Sequence, residues 1–277
     1  MRRFFGGDIL DHGRPEGSAG LVRSILLATL AALLLPLAAL RGQAVRLSSG
    51  PARVSLIELF TSEGCSSCPP AEEWMAALKD DPRLWHNFVP VSFHVNYWDN
   101  LGWPDRFATL AFTQRQYDIA GSWGTQSVYT PCFVRDGAEW RAGSLDGPGG
   151  ESPGVLTLEV GESGRARVAF TPGVGATGAG FTAHIALLGG GFSSRVTAGE
   201  NRGETLSHEF VALAVVDRPL AVTSGGKSFQ ADFVMPEPAV AGEPRRAIAA
   251  WVTRTGQMAP IQAVGGWSAI SERAGRR

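Results

Sequence analysis

Lysine is nearly absent from this chain: Lys79 and Lys227 are the only two, and arginine supplies the other basic residues. No basic run occurs, and the formal net charge is −1. That balance argues against a nucleic-acid ligand or a strong pull toward an acidic membrane surface. Cysteine is also scarce, with three in 277 residues. There is no second C-x-x-C pair and no H-x-x-H pair, which excludes the ligand set of a closed structural zinc site. No cysteine lies near the end of the N-terminal apolar run, so a lipid-attached N-terminus is not expected. No internal repeat is visible.

What is present divides the chain. Ser24 to Leu40 is an unbroken apolar run of seventeen residues, with Arg23 before it and Arg41 after it. Its length lies between a signal core of roughly 7–15 residues and a membrane span of about 20. Residues 1–44 therefore read as a signal peptide, with a small-residue cleavage site at Ala44, or as a membrane anchor. Either places the remainder in the periplasm or outside the cell, where a disulfide persists. Residues 45–52 read as a linker.

Val54 to Ala77 organises the rest of the chain. An apolar strand, Val54 to Phe60, leads through a polar turn to Cys65 and Cys68. Pro69 and Pro70 then open a helix carrying Trp74, Met75 and Leu78 at helical spacing. Strand, turn and C-x-x-C at a helix start form a redox arrangement of the thioredoxin-like kind. A helix N-terminus offers free backbone N–H groups and a positive dipole end, which lower a thiol's pKa. Asn87 to Val95 is a second strand, so strand, helix and strand form a right-handed βαβ unit. His94, Tyr97 and Trp98 then fall at the same sheet edge as Cys65. Asp105 to Ala120 reads as a second helix. Pro131 to Arg135 is a strand, followed by a hairpin turn at Asp136-Gly137. Thr130-Pro131 sits between helix and hairpin, the setting of a cis-proline. From Gly154 onward, short apolar segments separated by glycine turns predict a β-rich, sandwich-like portion. Phe210 to Val216 reads as strand or short helix.

The segments ELFTSEGCSSCPPAEE, FHVNYWDNLGWPDRFA, VYTPCFVRDG and GENRGETLSH resemble an exported bacterial family, domain of unknown function 1223, placed among thioredoxin-like proteins. The resemblance implies an α/β class: a thioredoxin-like domain, over residues 53–145 here, then a β-rich domain over 154–270; residues 271–277 read as a basic tail. It implies no established substrate. The chain departs from the family at Cys132, where glutamine is usual, and at Gly143 to Gly154, where a closing helix is usual.

The leading functional expectation is an extracytoplasmic thiol–disulfide oxidoreductase acting on protein or small disulfides. Cys65, taken as the more exposed thiol, attacks and Cys68 resolves. Glu58, at a strand position where related oxidoreductases carry a buried acid, accepts a proton. Thr130 and Pro131 bind the substrate backbone, and Tyr97 and Trp98 wall its groove. No cofactor is expected, and the expected partner is a disulfide or thiol protein. Two alternatives stay open: a copper-binding, metallochaperone-like protein using Cys65, Cys68 and His94 as soft ligands, and a non-enzymatic module whose β-rich portion binds a partner while the cysteine pair staples a loop. Cys132 lies along the strand beyond the reach of a bridge and is expected to remain a buried free thiol. His184 and His208 show no visible partner and read as structural.

Overall fold

The computed structural model describes residues 45–145, 152–161, 163–174, 180–238, 240, 242 and 244–268. The expected signal or anchor segment (1–44) and tail (271–277) lie outside these residues. No helix among the described residues is long and apolar enough to cross a membrane.

Two sheets carry the structure. The larger has eight strands. Its first-half strands are β2 (Ser55–Thr61), β3 (Phe88–His94), β4 (Cys132–Arg135) and β5 (Ala138–Glu139). Its second-half strands are β8 (Phe181–Gly190), β11 (Val211–Pro219), β14 (Arg245–Arg254) and β15 (Pro260–Trp267). The spatial order is β15-β14-β8-β11-β3-β2-β4-β5. A second, five-stranded sheet orders β1 (Val45–Ser48), β6 (Gly154–Val160), β7 (Arg165–Pro172), β13 (Phe229–Val234) and β12 (Ala221–Val222). A short ribbon joins β9 (Phe192–Arg195) to β10 (Thr205–His208). The α-helices are α1 (Pro69–Ala77) and α2 (Leu110–Ser122).

This overturns the expected α/β class with a thioredoxin-like domain followed by a separate β-rich one. Strand makes up 44% and helix 13%, and the two halves share one sheet. The physical reason lies at the free edge of β3. β2 and β3 pair in parallel, which leaves the other edge of β3 with unmet backbone groups. The second half meets them: Val211 of β11 pairs with Ser92, and Ser92 N donates to the Phe210 carbonyl at 2.8 Å. Among the described residues, no helix follows the β4–β5 hairpin. On the α1 face, Leu145, Trp140 and Phe210 pack with Ile57 and Leu59.

Strand alternation assigns the layers. Leu56, Phe60, Val89, Val91 and Phe93 face α2, with Phe112 and Ile119 packed on them. From the second half, Leu188, Ala249 and Trp251 continue that face. On the opposite face, Ile57 and Leu59 pack against Ala71 and Met75 of α1. Farther along, Ile185, Ala250 and Val252 pack on Leu158, Val168 and Phe170 of the five-stranded sheet. The hairpin turn at Asp136-Gly137 is as the sequence indicates, with both residues at positive φ (51° and 82°), as a type I′ turn requires. α2 begins at Leu110 rather than Asp105, because Thr109 caps it, its side chain accepting from Phe112 N, while Asp105 is used elsewhere. The segment read as strand or helix at 210–216 is strand, entered through Phe210 at φ 56°. Val45–Ser48, read as linker, is an edge strand paired with β6.

Trp251 ties the halves together. Fully buried on β14, it stacks on His184 at 5.2 Å, and the Arg115 guanidinium lies 5.1 Å from its ring. Arg115 in turn holds Glu58 of β2 at 2.7 Å. Trp251→Ala is expected to cost about 3–5 kcal/mol and to destabilise both halves in one transition. Urea unfolding read by tryptophan fluorescence and by far-UV dichroism checks this; two separated transitions in the wild type would contradict the shared core.

Candidate functional site

Cys65 and Cys68 form a disulfide with Cα atoms 5.5 Å apart. Cys68 is the N-cap residue of α1 and Pro69 and Pro70 follow it. The prolines carry no N–H, and the next two amides, Ala71 and Glu72, both donate to the Cys68 carbonyl at 2.9 and 3.1 Å. The helix start therefore lacks the free donors expected from the sequence, and only its dipole favours a thiolate. Ser67 Oγ lies 3.4 Å from Cys65 Sγ. Gly64 is needed where it stands: a Cβ there would come 2.9 Å from Trp98 Cβ.

Both cysteines are fully buried, so the expectation of an exposed attacking Cys65 is corrected. Residues of the second half hold the cysteine loop. Asn201 Nδ2 donates to the carbonyls of Glu63 and Cys65 at 2.9 and 3.0 Å. Glu200 accepts from Ser66 N and Oγ at 3.0 and 2.8 Å, which holds its carboxyl below its ordinary pKa.

Behind the disulfide, on the α1 face, lies a cluster of buried ionisable groups. In register, Thr61 stands beside His94, and both side chains point to that face. Thr61 Oγ1 donates to Glu72 Oε1 of α1 at 2.7 Å. The other carboxylate oxygen of Glu72 meets His208 Nδ1 from β10. His208 Nε2 lies 3.1 Å from Glu63 Oε1, while Glu63 Oε2 accepts from Trp103 Nε1 at 2.6 Å. His94 Nδ1 is 2.7 Å from Asp105 Oδ2, which also accepts from Glu63 N at 2.8 Å. The two imidazoles lie 5.2 Å apart, and the Phe107 ring packs against both.

The electrostatics follow from burial opposed by pairing. Burial alone would lower His208, but its bonds to Glu63 and Glu72 lift it to about 10. Burial likewise opposes a charge on His94, and the charge and hydrogen bond of Asp105 override it and raise its pKa. Burial would raise Glu63 and Asp105; hydrogen bonds to Glu63, led by His208, and the charge of His94 beside Asp105 reverse this, so both lie below their ordinary values.

The structure redistributes the residues singled out from the sequence. Glu58 is not beside Cys68. It points to the α2 face, salt-bridged to Arg115, and burial pushes its carboxyl up despite that partner. Alternation puts Glu58 and Thr61 on opposite faces, which speaks against the expected proton-acceptor role. His94 does reach the cysteine side. Thr130-Pro131 is cis, and Thr130 Oγ1 accepts from Trp98 Nε1 at 2.7 Å. Tyr97 turns to Gln116 of α2 at 3.2 Å rather than walling a groove. A groove of about 490 Å³ instead runs beside Pro131, lined by Tyr129, Phe133 and Trp140. Cys132 is a buried free thiol whose pKa burial pushes up to about 11. His208, read as structural, is central to the cluster. Nothing in the sequence pattern marks Glu63, Glu72, Asp105 or Asn201. The signal available was that GENRGETLSH holds Glu200, Asn201 and His208 together, but local spacing says nothing of partners 130 or more residues away.

The chain belongs to the family described as protein of unknown function (DUF1223), whose model matches residues 56–253. No curated protein matches it. Two solved structures are similar. A protein from Agrobacterium tumefaciens is 21% identical, with a TM-score of 0.57 over 80% of this chain and 97% of that one. HBP35 of Porphyromonas gingivalis is 15% identical, with a TM-score of 0.59 over 81% and 78%. At these identities the likeness concerns the fold alone.

Because the folded pKa of His208 lies above its unfolded value of about 6.5, its stabilisation is complete below that pH and is lost as pH rises through about 10. The wild-type advantage over His208→Gln in metal-free buffer should thus be largest near pH 6 and shrink toward pH 10. Urea midpoints across that range check it; a constant difference would contradict the charged pairing.

Proposed function

We propose that this family member is an extracytoplasmic thiol–disulfide oxidoreductase working through Cys65 and Cys68. The observation that carries the reading is the disulfide closed between them at the start of α1. A bridge spanning two intervening residues gains little loop entropy, so a role in exchange explains it better than a role in stability. The extracytoplasmic setting rests on the apolar N-terminal run and on the persistence of a disulfide.

In the reducing direction, the Cys65 thiolate attacks a substrate disulfide and forms a mixed disulfide, expelling one substrate thiolate. The Cys68 thiolate then attacks Cys65 Sγ, releases the second substrate thiolate and restores the Cys65–Cys68 bond. Two electrons pass to the substrate, and the two protons of the thiol pair end on the two substrate thiols. The oxidising direction reverses every step. Since both sulfurs are buried, exchange requires the Glu200–Asn201 segment to lift from Ser66 and Cys65. The groove beside Pro131 is the docking place for a substrate strand, with Tyr129, Phe133 and Trp140 as its apolar walls.

Complete burial of both cysteines favours one competing reading, a staple that fixes the loop. The reduction potential separates the two. Exchange requires a potential above roughly −300 mV, whereas a structural disulfide typically lies below it. Cys65→Ser should abolish turnover of a model disulfide. Asn201→Ala should speed reduction of the bridge by dithiothreitol by about tenfold or more, because two hydrogen bonds of roughly 1 kcal/mol each are lost. Cys132 should stay unalkylated throughout as an internal control. An unchanged reduction rate in Asn201→Ala would remove the gating step, and a potential below that limit would leave only the staple.

A further inference from the structure

We propose that Glu72, His94 and His208 form a binding site for a divalent transition-metal ion of the Zn²⁺ class, distinct from the cysteine pair. One donor atom from each residue lies within 4.8 Å of the others, and all three side chains are buried. His94 Nε2 is fully buried and has no hydrogen-bond partner. A polar atom left unpaired in the interior is costly, and a metal ion would satisfy it.

The surroundings are those of ligands held for a metal. A ligating histidine nearly always gives its other ring N–H to a carboxylate, which fixes tautomer and orientation. His94 Nδ1 is held by Asp105 at 2.7 Å, which leaves Nε2 as the donor lone pair. His208 Nε2 faces Glu63 at 3.1 Å, which leaves Nδ1 beside the Glu72 carboxylate. Glu72 is itself held by Thr61 through its other oxygen. Each of the three ligands thus has its own supporting group: Asp105 for His94, Glu63 for His208 and Thr61 for Glu72. Zn²⁺ sits about 2.0–2.2 Å from nitrogen and oxygen donors, so tetrahedral donors lie roughly 3.4 Å apart. Side-chain shifts of about an ångström close the site.

Two imidazoles and one carboxylate suit borderline ions such as Zn²⁺, Co²⁺ or Fe²⁺ rather than Cu(I) or Ca²⁺. The set also leaves a fourth position open, as in catalytic rather than structural sites. A cleft of about 190 Å³ between α1 and β10, lined by Pro69, Glu73, Thr205 and Ser207, reaches Glu72 from outside. That gives the ion a path in. Histidine ligates as the neutral imidazole, so binding releases protons and affinity rises with pH.

The test uses oxidised wild-type protein, in which the Cys65–Cys68 sulfurs cannot ligate, stripped with chelator and titrated with ZnCl₂ or CoCl₂. One equivalent should bind and raise the melting temperature. The Co²⁺ form should show visible d–d bands and no thiolate charge-transfer band. His94→Gln and His208→Gln should each weaken binding at least about a hundredfold, and Asp105→Asn by about 10–100-fold. In the wild type alone, Zn²⁺ should move the ¹⁵N signals of His94 and His208 and leave those of His86 and His184 in place. This readout stands even where a variant does not fold. No binding, unmoved His94 and His208 signals, or unchanged affinity in folded His94→Gln would overturn the site. Because the thiols are locked throughout, failure here leaves the exchange reading standing, and failure of exchange leaves this site standing.

Discussion

Five ionisable side chains that have left water must balance their charge among themselves, and that requirement shapes the centre of the molecule. An isolated buried charge is prohibitively costly, and a pair survives only with excellent geometry and further hydrogen bonds. Glu63, Glu72 and Asp105 face His94 and His208, one more carboxylate than imidazole. Neutral donors make up the difference: Thr61 to Glu72, Trp103 to Glu63 and the Glu63 amide to Asp105. Each solution draws in another element. β2 supplies Thr61, β3 His94, α1 Glu72 and β10 His208. Removing any member would leave a charge unmatched, so the cluster joins the ribbon of the second half to the helix after the cysteines.

The sheet serves the same requirement on its other face with a different solution. Glu58 is met there by a single arginine, Arg115, whose guanidinium is also spread over Phe93 and Trp251. Two charged systems thus lie on opposite sides of β2, three residues apart in sequence. The disulfide belongs to only one of them. The cysteine loop is joined to that one through Glu63, which meets His208, and through Asn201, which holds the Glu63 and Cys65 carbonyls.

Much of this was legible locally. β6, β7 and β10 alternate buried and open positions as their sequences alternate. Asp136-Gly137 named its own turn, and the placement of Thr130-Pro131 pointed to the cis bond. What misled was order without pairing. The strand–helix–strand sequence from Val54 to Val95 is the same whether β3 ends a sheet or continues it, and nothing in NFVPVSFHV marks its edge for β11. Glu58 was misassigned for a related reason. SLIELFT is buried on both faces, so its residues carry no alternation from which to read a side. The role of His208 is not legible locally because its partners lie 136 and 145 residues away, beyond any spacing rule.

The pairing of β3 with β11 sets an order of events in the life of the chain. During synthesis, Cys65 and Cys68 emerge well over a hundred residues before Asn201, His208 and β11 exist to cover them. Contacts this distant in sequence form slowly, since the loop must close before they are rewarded. For that interval the cysteines are open to whatever thiols and oxidants surround the nascent chain, and Cys132 is a third candidate partner. The first pairing of these cysteines is thus open to choice early, on an unfinished polypeptide, before the second half covers them. A protein whose C-terminal half lags should accumulate species crosslinked through Cys132, a misfolding route that the finished fold closes by sending the third thiol to the opposite face of the sheet.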